Sequence, residues 1–265
     1  MSLAALEARL AQEGRLLVAY SGGADSALLA TVAHRVLGAR SVAVTAVSAS
    51  LPASERAAAK AFAREQGFAH VEVATDELDR PEYVANDGNR CFHCKSALFD
   101  ALEPMAAVLG ARTALGTNLD DLGDHRPGQA AAAQRGSVFP LVDAGLSKAA
   151  VRAISAELGL VTAAKPAAAC LSSRVAYGDA VTAEVLGRVE AAEEALHRLG
   201  FDVCRVRAHA DGTVARVEVQ DIERAVALRS EVDGAVRAAG FTFATLDLAG
   251  FRSGSMNRLL PLTPA

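Results

Sequence analysis

Leu16-Leu17-Val18-Ala19-Tyr20-Ser21-Gly22-Gly23-Ala24-Asp25-Ser26 is the stretch that decides how this chain folds. Leu16 to Tyr20 is an unbroken apolar run of strand length, and Ser26 to Leu37 has the composition of a buried helix. Ser21 to Asp25 joins them as a turn, and its two adjacent glycines let the backbone bend sharply and approach a ligand closely. Amides at the start of the following helix, and the positive end of its dipole, then point at whatever lies beyond the strand. This is the physical description of a phosphate site. The string has neither the GxxxxGK(S/T) spacing of a Walker loop nor the GxGxxG of a dinucleotide loop. Its alternative is a glycine-rich βα turn with no ligand.

Outward from this unit the pattern repeats. Ser41 to Val47, Ala69 to Val73 and Thr113 to Gly116 read as strands, with helices over Ser54 to Gln66 and from Cys94 onward between them. Strands alternating with helices predict an α/β fold with a doubly wound parallel sheet and ligands at the strand C-termini. Ser147 is an N-cap for a helix to Leu158, and Gly159 is its stop. Ala163 to Asp179 holds Pro166 and Gly178 and no clean period, which places the domain boundary there. A second α/β module follows as helix (Ala183 to Leu199), strand (Val203 to Ala208), strand (Thr213 to Val219), helix (Ile222 to Ala239) and strand (Phe241 to Asp247), with Asp211-Gly212 as a hairpin turn.

Composition narrows the function. Hydrophobic residues make up 51% and charged residues 22% of 265, and no apolar run approaches the ~20 residues that cross a bilayer. Leu3, Leu6 and Leu10 stand at helical spacing among charged residues, unlike an export signal, so a cytoplasmic location without membrane attachment is expected. A net charge of −4 gives no electrostatic reason for binding a nucleic-acid backbone, so a small-molecule substrate is favoured. The basic residues are nearly all Arg; Lys60, Lys95, Lys148 and Lys165 are the only lysines, and three of them fall in or near the motifs.

SGGADS matches SGGxDS, the signature of the PP-loop ATP pyrophosphatases. That resemblance implies that Ser21, Gly22, Gly23, Asp25 and Ser26 hold the pyrophosphate part of ATP, that Asp25 helps bind Mg²⁺, and that AMP is left on the substrate. Leu115-Gly116-Thr117-Asn118-Leu119-Asp120-Asp121 ends a predicted strand with two carboxylates. The same resemblance puts Gly116, Thr117, Asn118 and Asp121 along the nucleotide, with Asp120 or Asp121 ligating Mg²⁺ or positioning substrate; an Asn-Asp turn is otherwise often only a turn. Arg126, a few residues on, offers a guanidinium for a carboxylate or phosphate.

Cys91-Phe92-His93-Cys94 is a CxxC. Two thiols so spaced can share a metal, form a redox disulfide, provide an activated thiolate at a helix start, or be incidental. Cys170 follows in Ala169-Cys170-Leu171-Ser172-Ser173-Arg174, while Cys204 falls in a predicted strand and reads as a buried core thiol. Taken in order, SGGADS, NRCFHCK, LGTNLDDLGDHRPG, the K-x-x-x-R of Lys148 and Arg152, ACLSSR, RVRAH and GFRSGSMN resemble the LarE family of ATP-dependent sulfur-insertion enzymes from the phosphate loop almost to the C-terminus.

The resemblance implies a PP-loop domain over 1–165 and a smaller α/β domain over 166–265 that serves substrate binding and sulfur transfer. It implies a pyridinium mononucleotide with two carboxylates as substrate, adenylated with MgATP and converted to thiocarboxylates for the nickel-pincer nucleotide of lactate racemase. Sulfur then comes from Cys170, sacrificed to dehydroalanine, or by way of a 4Fe-4S cluster on Cys91, Cys94 and Cys170, the version the CxxC favours. Arg174, Arg205, Arg207 and Arg252 become an anion clamp, Arg205 and Arg207 sharing a strand face. Glu193 on its predicted helix is a metal ligand, a subunit contact or an exposed salt-bridging residue. The resemblance also implies a homo-oligomer, with a hexamer as one candidate, and lactate racemase maturation proteins as partners. Two rivals share the loop. A tRNA thiolation enzyme is disfavoured by eight Arg against eight Asp plus Glu in residues 201–265, and an ammonia-dependent synthetase by the three motif cysteines. A nucleotide-binding regulatory module would bind ATP without releasing pyrophosphate.

Overall fold

In the computed structural model, which describes residues 2–123, 135–166, 169–252 and 254–256, Leu16–Ala19 forms the first strand, β1. Its side chains alternate between two cores, as a strand buried on both faces requires. Leu16 and Val18 join one cluster and Leu17 the other. β2 (Ser41–Val47), β3 (His70–Ala74) and β4 (Arg112–Leu115) complete a four-stranded sheet in the order β3-β2-β1-β4. Every pairing in it is parallel, with Leu16 opposite Ser41 on one side and Arg112 on the other. The fold is the α/β, doubly wound parallel sheet that the strand-helix alternation predicts.

Helices cover both faces. Residues of α1 (Leu3–Ala11), α2 (Ala24–Leu37) and α3 (Ala53–Gln66), including Leu6, Leu10, Leu28, Leu29 and Phe62, build the larger cluster. α4 (Pro81–Val84) is a single turn. α5 (Arg90–Leu109) packs Leu98 and Leu102 against Leu17 and Val44 on the opposite face. α5 begins at Arg90, four residues ahead of the helix start expected at Cys94, so the CxxC lies within the helix. α6 (Pro140–Asp143) is short, and α7 (Lys148–Glu157) is capped by Ser147 Oγ, which accepts from the Ala150 N–H.

The order of the strands positions the site. From β1 the chain moves outward to β2 and β3, then returns to place β4 on the other side of β1. Where the direction reverses, the loops after two neighbouring strands diverge and leave a crevice beyond their C-terminal ends. The loops in question are those after β1 and β4.

The chain divides into two compact units. The first comprises Met1–Ser48, Ala53–Glu77 and Cys91–Ala168, and the second Ala49–Pro52, Leu78–Arg90 and Ala169–Ala265. A linear reading misses the two early segments of the second unit. Polar contacts hold Leu78–Arg90 there: Asn86, fully buried, donates through Nδ2 to the carbonyls of Ala176 and Asp179 at 2.7 and 3.0 Å, and Arg90 donates to the Ser172 carbonyl at 2.8 Å.

In the second unit α8 (Ala183–Arg198) lies beside β5 (Cys204–His209), which pairs antiparallel with β6 (Val214–Val219). The turn between them has Ala210, Asp211 and Gly212 at positive φ. α9 (Ile222–Ala227) and α10 (Arg229–Ala238) then lead to β7 (Phe243–Leu246), parallel to β6. The sequence pattern predicts one helix here. The structure breaks it at Leu228 (φ −97, ψ 26), while the apolar spacing of Ala225, Leu228, Val232 and Val236 runs on through the break.

α8 buries a charge. Glu193 is 7% exposed and accepts from Arg174 Nε and Nη2 at 3.1 Å each and from the Val206 N–H at 3.0 Å. It forms an ion pair in the interior. Glu193→Ala leaves the Arg174 charge and a strand amide without their acceptor and is expected to cost about 3–5 kcal/mol, read as a fall in the urea midpoint of the full-length protein.

Candidate active site

At the crevice end of β1, Tyr20 donates its N–H to the Val44 carbonyl at 2.8 Å, and the chain turns at Gly22, whose φ is +74. Added side-chain carbon at Gly22 would meet Ala59 Cβ of α3 at 3.0 Å, so both conformation and space call for glycine. Gly23 is the N-cap of α2 and makes no side-chain cap. The first helical bond runs from the Ala27 N–H to the Gly23 carbonyl at 2.9 Å, so the N–H groups of Ala24, Asp25 and Ser26 precede the ladder. Ser26 stiffens the loop: its Oγ accepts from the Ser21 N–H at 3.2 Å and donates to the Gly23 carbonyl at 3.1 Å.

The end of β4 fits against this first turn with no room to spare. A Cβ on Gly116 would lie 2.8 Å from the Ser26 nitrogen and 3.0 Å from Asp25 C and Ser26 Cα. That close backbone approach brings the next residues to Asp25. Asn118, fully buried, donates from Nδ2 to Asp25 Oδ1 at 3.2 Å, while its own N–H donates to Asp121 Oδ2 at 3.1 Å. Asn118 Oδ1 in turn accepts from the Asp120 N–H at 3.0 Å. One residue thus holds both carboxylates, Asp25 through its side-chain amide and Asp121 through its backbone N–H, and its Oδ1 shapes the turn. Asp120, exposed, points elsewhere, its Oδ2 accepting from the Lys148 N–H at the start of α7 at 2.6 Å.

Burial pushes the Asp25 carboxyl above its ordinary range, against the Asn118 hydrogen bond; the Asp121 charge adds to the rise and the Lys148 ammonium opposes it. A divalent cation beside these two carboxylates would relieve both burial and repulsion. Among the described residues no three His, Cys, Asp or Glu side chains are grouped to hold a metal. Two carboxylates nevertheless suit Mg²⁺, which is held by one or two of them together with phosphate oxygens and water.

The cysteines fall at two places. Cys91, exposed, and Cys94, half-buried, stand three residues apart on α5 and so share a helix face, as a pair of thiolate donors to an iron-sulfur cluster would. Cys170, also exposed, precedes a short 3₁₀ turn, Leu171–Arg174. Its carbonyl accepts from the Ser173 N–H at 3.0 Å, Ser173 Oγ at 2.7 Å and Arg174 Nη1 at 2.9 Å, which fixes its backbone. Cys204 is fully buried, and burial pushes its thiol up to about 12, which keeps it inert.

The second unit holds all four predicted clamp residues. Arg174 is bound to Glu193, and Arg207 donates to the fully buried Glu218 and to the Ser173 carbonyl. Arg205 donates to the Cys204 carbonyl and lies over the Phe251 ring; burial and the nearby charges of Arg174 and Arg207 depress its pKa. Arg252 lies 3.8 Å from Asp247, which is also 3.7 Å from Arg216. Arg126 lies outside the described residues. Glu218 carries no motif by which spacing alone could single it out; the LGTNLDD stretch names Gly116 and Asn118 without revealing the close packing of the one or the bridge made by the other, and Glu193 is a buried partner of Arg174 and not an exposed one.

A parallel α/β sheet whose first strand ends in SGGADS at the switch point defines a PP-loop protein. No family model matches the chain. An uncharacterized protein of Synechocystis sp. is 47% identical to it over 252 residues, 93% of each chain. The pyridinium-3,5-bisthiocarboxylic acid mononucleotide synthase of Lactiplantibacillus plantarum is 37% identical over 262 residues, 97% of this chain and 94% of that one. An uncharacterized protein of Methanocaldococcus jannaschii is 24% identical over 240 residues. At 37% identity along nearly its whole length, the chain belongs to the family of that synthase, the LarE family. Among the described residues no helix is long and apolar enough to cross a membrane.

Gly116→Ala tests the packing at the crevice. One methyl forces β4 and α2 apart, so stability falls by about 1–3 kcal/mol and Asp25 loses its Asn118 contact. Thermal unfolding and MgATP titration of the purified variant should both register the change.

Proposed function

We propose that this chain is an ATP-dependent sulfurtransferase that turns the two carboxylates of a pyridinium-3,5-biscarboxylic acid mononucleotide into thiocarboxylates, in the making of a nickel-pincer nucleotide. The observation that carries the reading is the junction of the SGGADS loop with Asn118, which sets two carboxylates beside an open helix N-terminus. Membership of the LarE family supports the substrate class.

A carboxylate is inert to sulfur nucleophiles because its oxygens are poor leaving groups. In the first step a carboxylate oxygen of the substrate attacks the α-phosphorus of ATP, the bond to the β-phosphate oxygen breaks, and pyrophosphate leaves an acyl adenylate behind. The amides at the start of α2 and the positive end of its dipole take up charge on the departing pyrophosphate. Asp25, with Asp121 next to it, would hold Mg²⁺, which when bound neutralises the polyphosphate. In the second step sulfur adds to the acyl carbon and AMP departs with the electron pair of its C–O bond, leaving the thiocarboxylate.

Two sources of sulfur fit the cysteines. Cys91, Cys94 and Cys170 would hold a 4Fe-4S cluster, which when bound supplies sulfide from an open iron; the paired thiols of α5 favour this source. Alternatively the Cys170 thiolate itself forms a thioester. Loss of the Cys170 Cα proton and cleavage of its Cβ–S bond then release the thiocarboxylate and leave dehydroalanine. The exposed thiol on a fixed backbone suits either route. Arg205 and Arg207 would meet the substrate's phosphate and second carboxylate. The same reading carries a homo-oligomer serving lactate racemase maturation.

Asp25→Asn is expected to lower substrate-dependent pyrophosphate release by about 100-fold or more in a protein with unchanged circular dichroism; undiminished release removes Asp25 from the mechanism. Cys170→Ala should still adenylate substrate while forming no thiocarboxylate, and a folded variant that cannot adenylate overturns that division of roles. Iron and acid-labile sulfide, measured on protein purified without oxygen, separate the sulfur sources. About four irons per chain, lost in Cys91→Ala, support the cluster. No iron after anaerobic reconstitution, with each spent chain lighter by one H₂S, assigns the sulfur to Cys170.

A further inference from the structure

Lys165 follows α7 in a chain with only four lysines. Its ammonium lies against the phosphate loop, with Nζ donating to the Gly22 carbonyl at 3.0 Å and to Glu55 Oε2 at 2.6 Å. Both carboxylate and ammonium are well covered, with side-chain exposures of 25% and 20%. Glu55 is one helical turn before Ala59, the residue against which Gly22 packs, so this side of α3 both supports the loop and anchors the lysine. Behind it, Arg152 donates to the carbonyls of Ala163 and Lys165 at 3.3 and 3.0 Å and holds the backbone that carries the ammonium.

The contact matters because of the peptide it grips. The Gly22 carbonyl and the Gly23 N–H belong to one planar trans peptide and point in opposite directions. Between two glycines such a peptide turns over at little steric cost. One orientation turns the N–H away from α3; the other would present a carbonyl oxygen to an incoming anion. With the oxygen on Lys165, the Gly23 N–H is directed to the loop side, where Ser21 Oγ lies at 3.4 Å. A compact ammonium can serve a carbonyl and a carboxylate together and still keep a third donor, which a planar guanidinium cannot do in the same space.

We infer that Lys165 is a positioning residue of the phosphate loop: held by Glu55, its ammonium keeps the Gly22-Gly23 peptide in the orientation that receives the β- and γ-phosphates of ATP. The inference rests on the adenylating function proposed above, since it needs a triphosphate in the loop.

The test is calorimetric titration of the full-length protein with MgATP, magnesium pyrophosphate and AMP, comparing wild type with Lys165→Met, Lys165→Arg and Glu55→Gln. Lys165→Met should weaken MgATP and pyrophosphate by about tenfold or more, the loss expected for a charge-assisted hydrogen bond, and leave AMP affinity unchanged. Lys165→Arg, which keeps the charge, should recover part of the loss. Glu55→Gln preserves shape and should give the same selective weakening to a smaller degree; it decides the matter by the same comparison if Lys165→Met does not fold. Equal weakening of AMP and ATP, or no weakening of either, overturns the role of Lys165 while leaving the adenylating function in place. Wild-type protein that fails to bind MgATP overturns the adenylating function itself, and the inference with it.

Discussion

Gly116 and the first turn of α2 are so close that one extra carbon would sit 2.8 Å from the Ser26 nitrogen. That approach is possible because β4 pairs directly with β1, whose C-terminal end feeds the phosphate loop. Everything at the crevice depends on it. The close pairing delivers Asn118 to Asp25, aligns Asp121 beside them and brings the start of α7 to Asp120. A bulkier residue at 116 would leave each of these groups present and none of them in register. The Asp25 carboxyl is disfavoured as an anion by burial, and the Asn118 side-chain amide offsets this first, with the Lys148 ammonium adding to it. On the function proposed above, a dication would supply the positive charge that burial denies this carboxylate.

The second unit solves a related problem differently. Its guanidinium groups are buried with counter-charges: Arg174 with Glu193, and Arg207 with Glu218, which also accepts from Arg216 and Ser255. Buried pairs of this kind add little net stability, since desolvation offsets most of the Coulomb gain, but they fix side chains in one geometry. Arg174 uses that rigidity twice, binding Glu193 on α8 and the carbonyl that precedes the 3₁₀ turn. The exposed Cys170 thiol is therefore carried on a backbone set by charge-assisted bonds.

Much of the first unit was legible from residues. β1 is an unbroken apolar run, its flanking glycines mark the turn, and alternation with helices implies a parallel sheet, because neighbouring parallel strands need crossovers. Cys204 was readable as core from its place in a strand. Less visible was the break at Leu228, where apolar spacing continues although the backbone does not, and the start of α5 ahead of Cys91. The membership of Leu78–Arg90 in the second unit was not readable at all. It depends on Asn86, Arg90 and the carbonyls they meet roughly ninety residues later, and no local pattern encodes such a partner.

The sequence by itself determined the class of fold, the phosphate loop, the cysteines and the family, because these rest on local periodicity and on ordered short motifs. Tertiary structure alone decided which groups act on one another: Gly116 against Ser26, Asn118 between two aspartates, Lys165 on the Gly22 carbonyl, and an acid beneath Arg174 and Arg207. Hydrogen bonds and buried charge pairs act over about 3 Å, while the residues that make them here are separated in sequence by up to 143 positions. Only the folded chain brings that separation within reach.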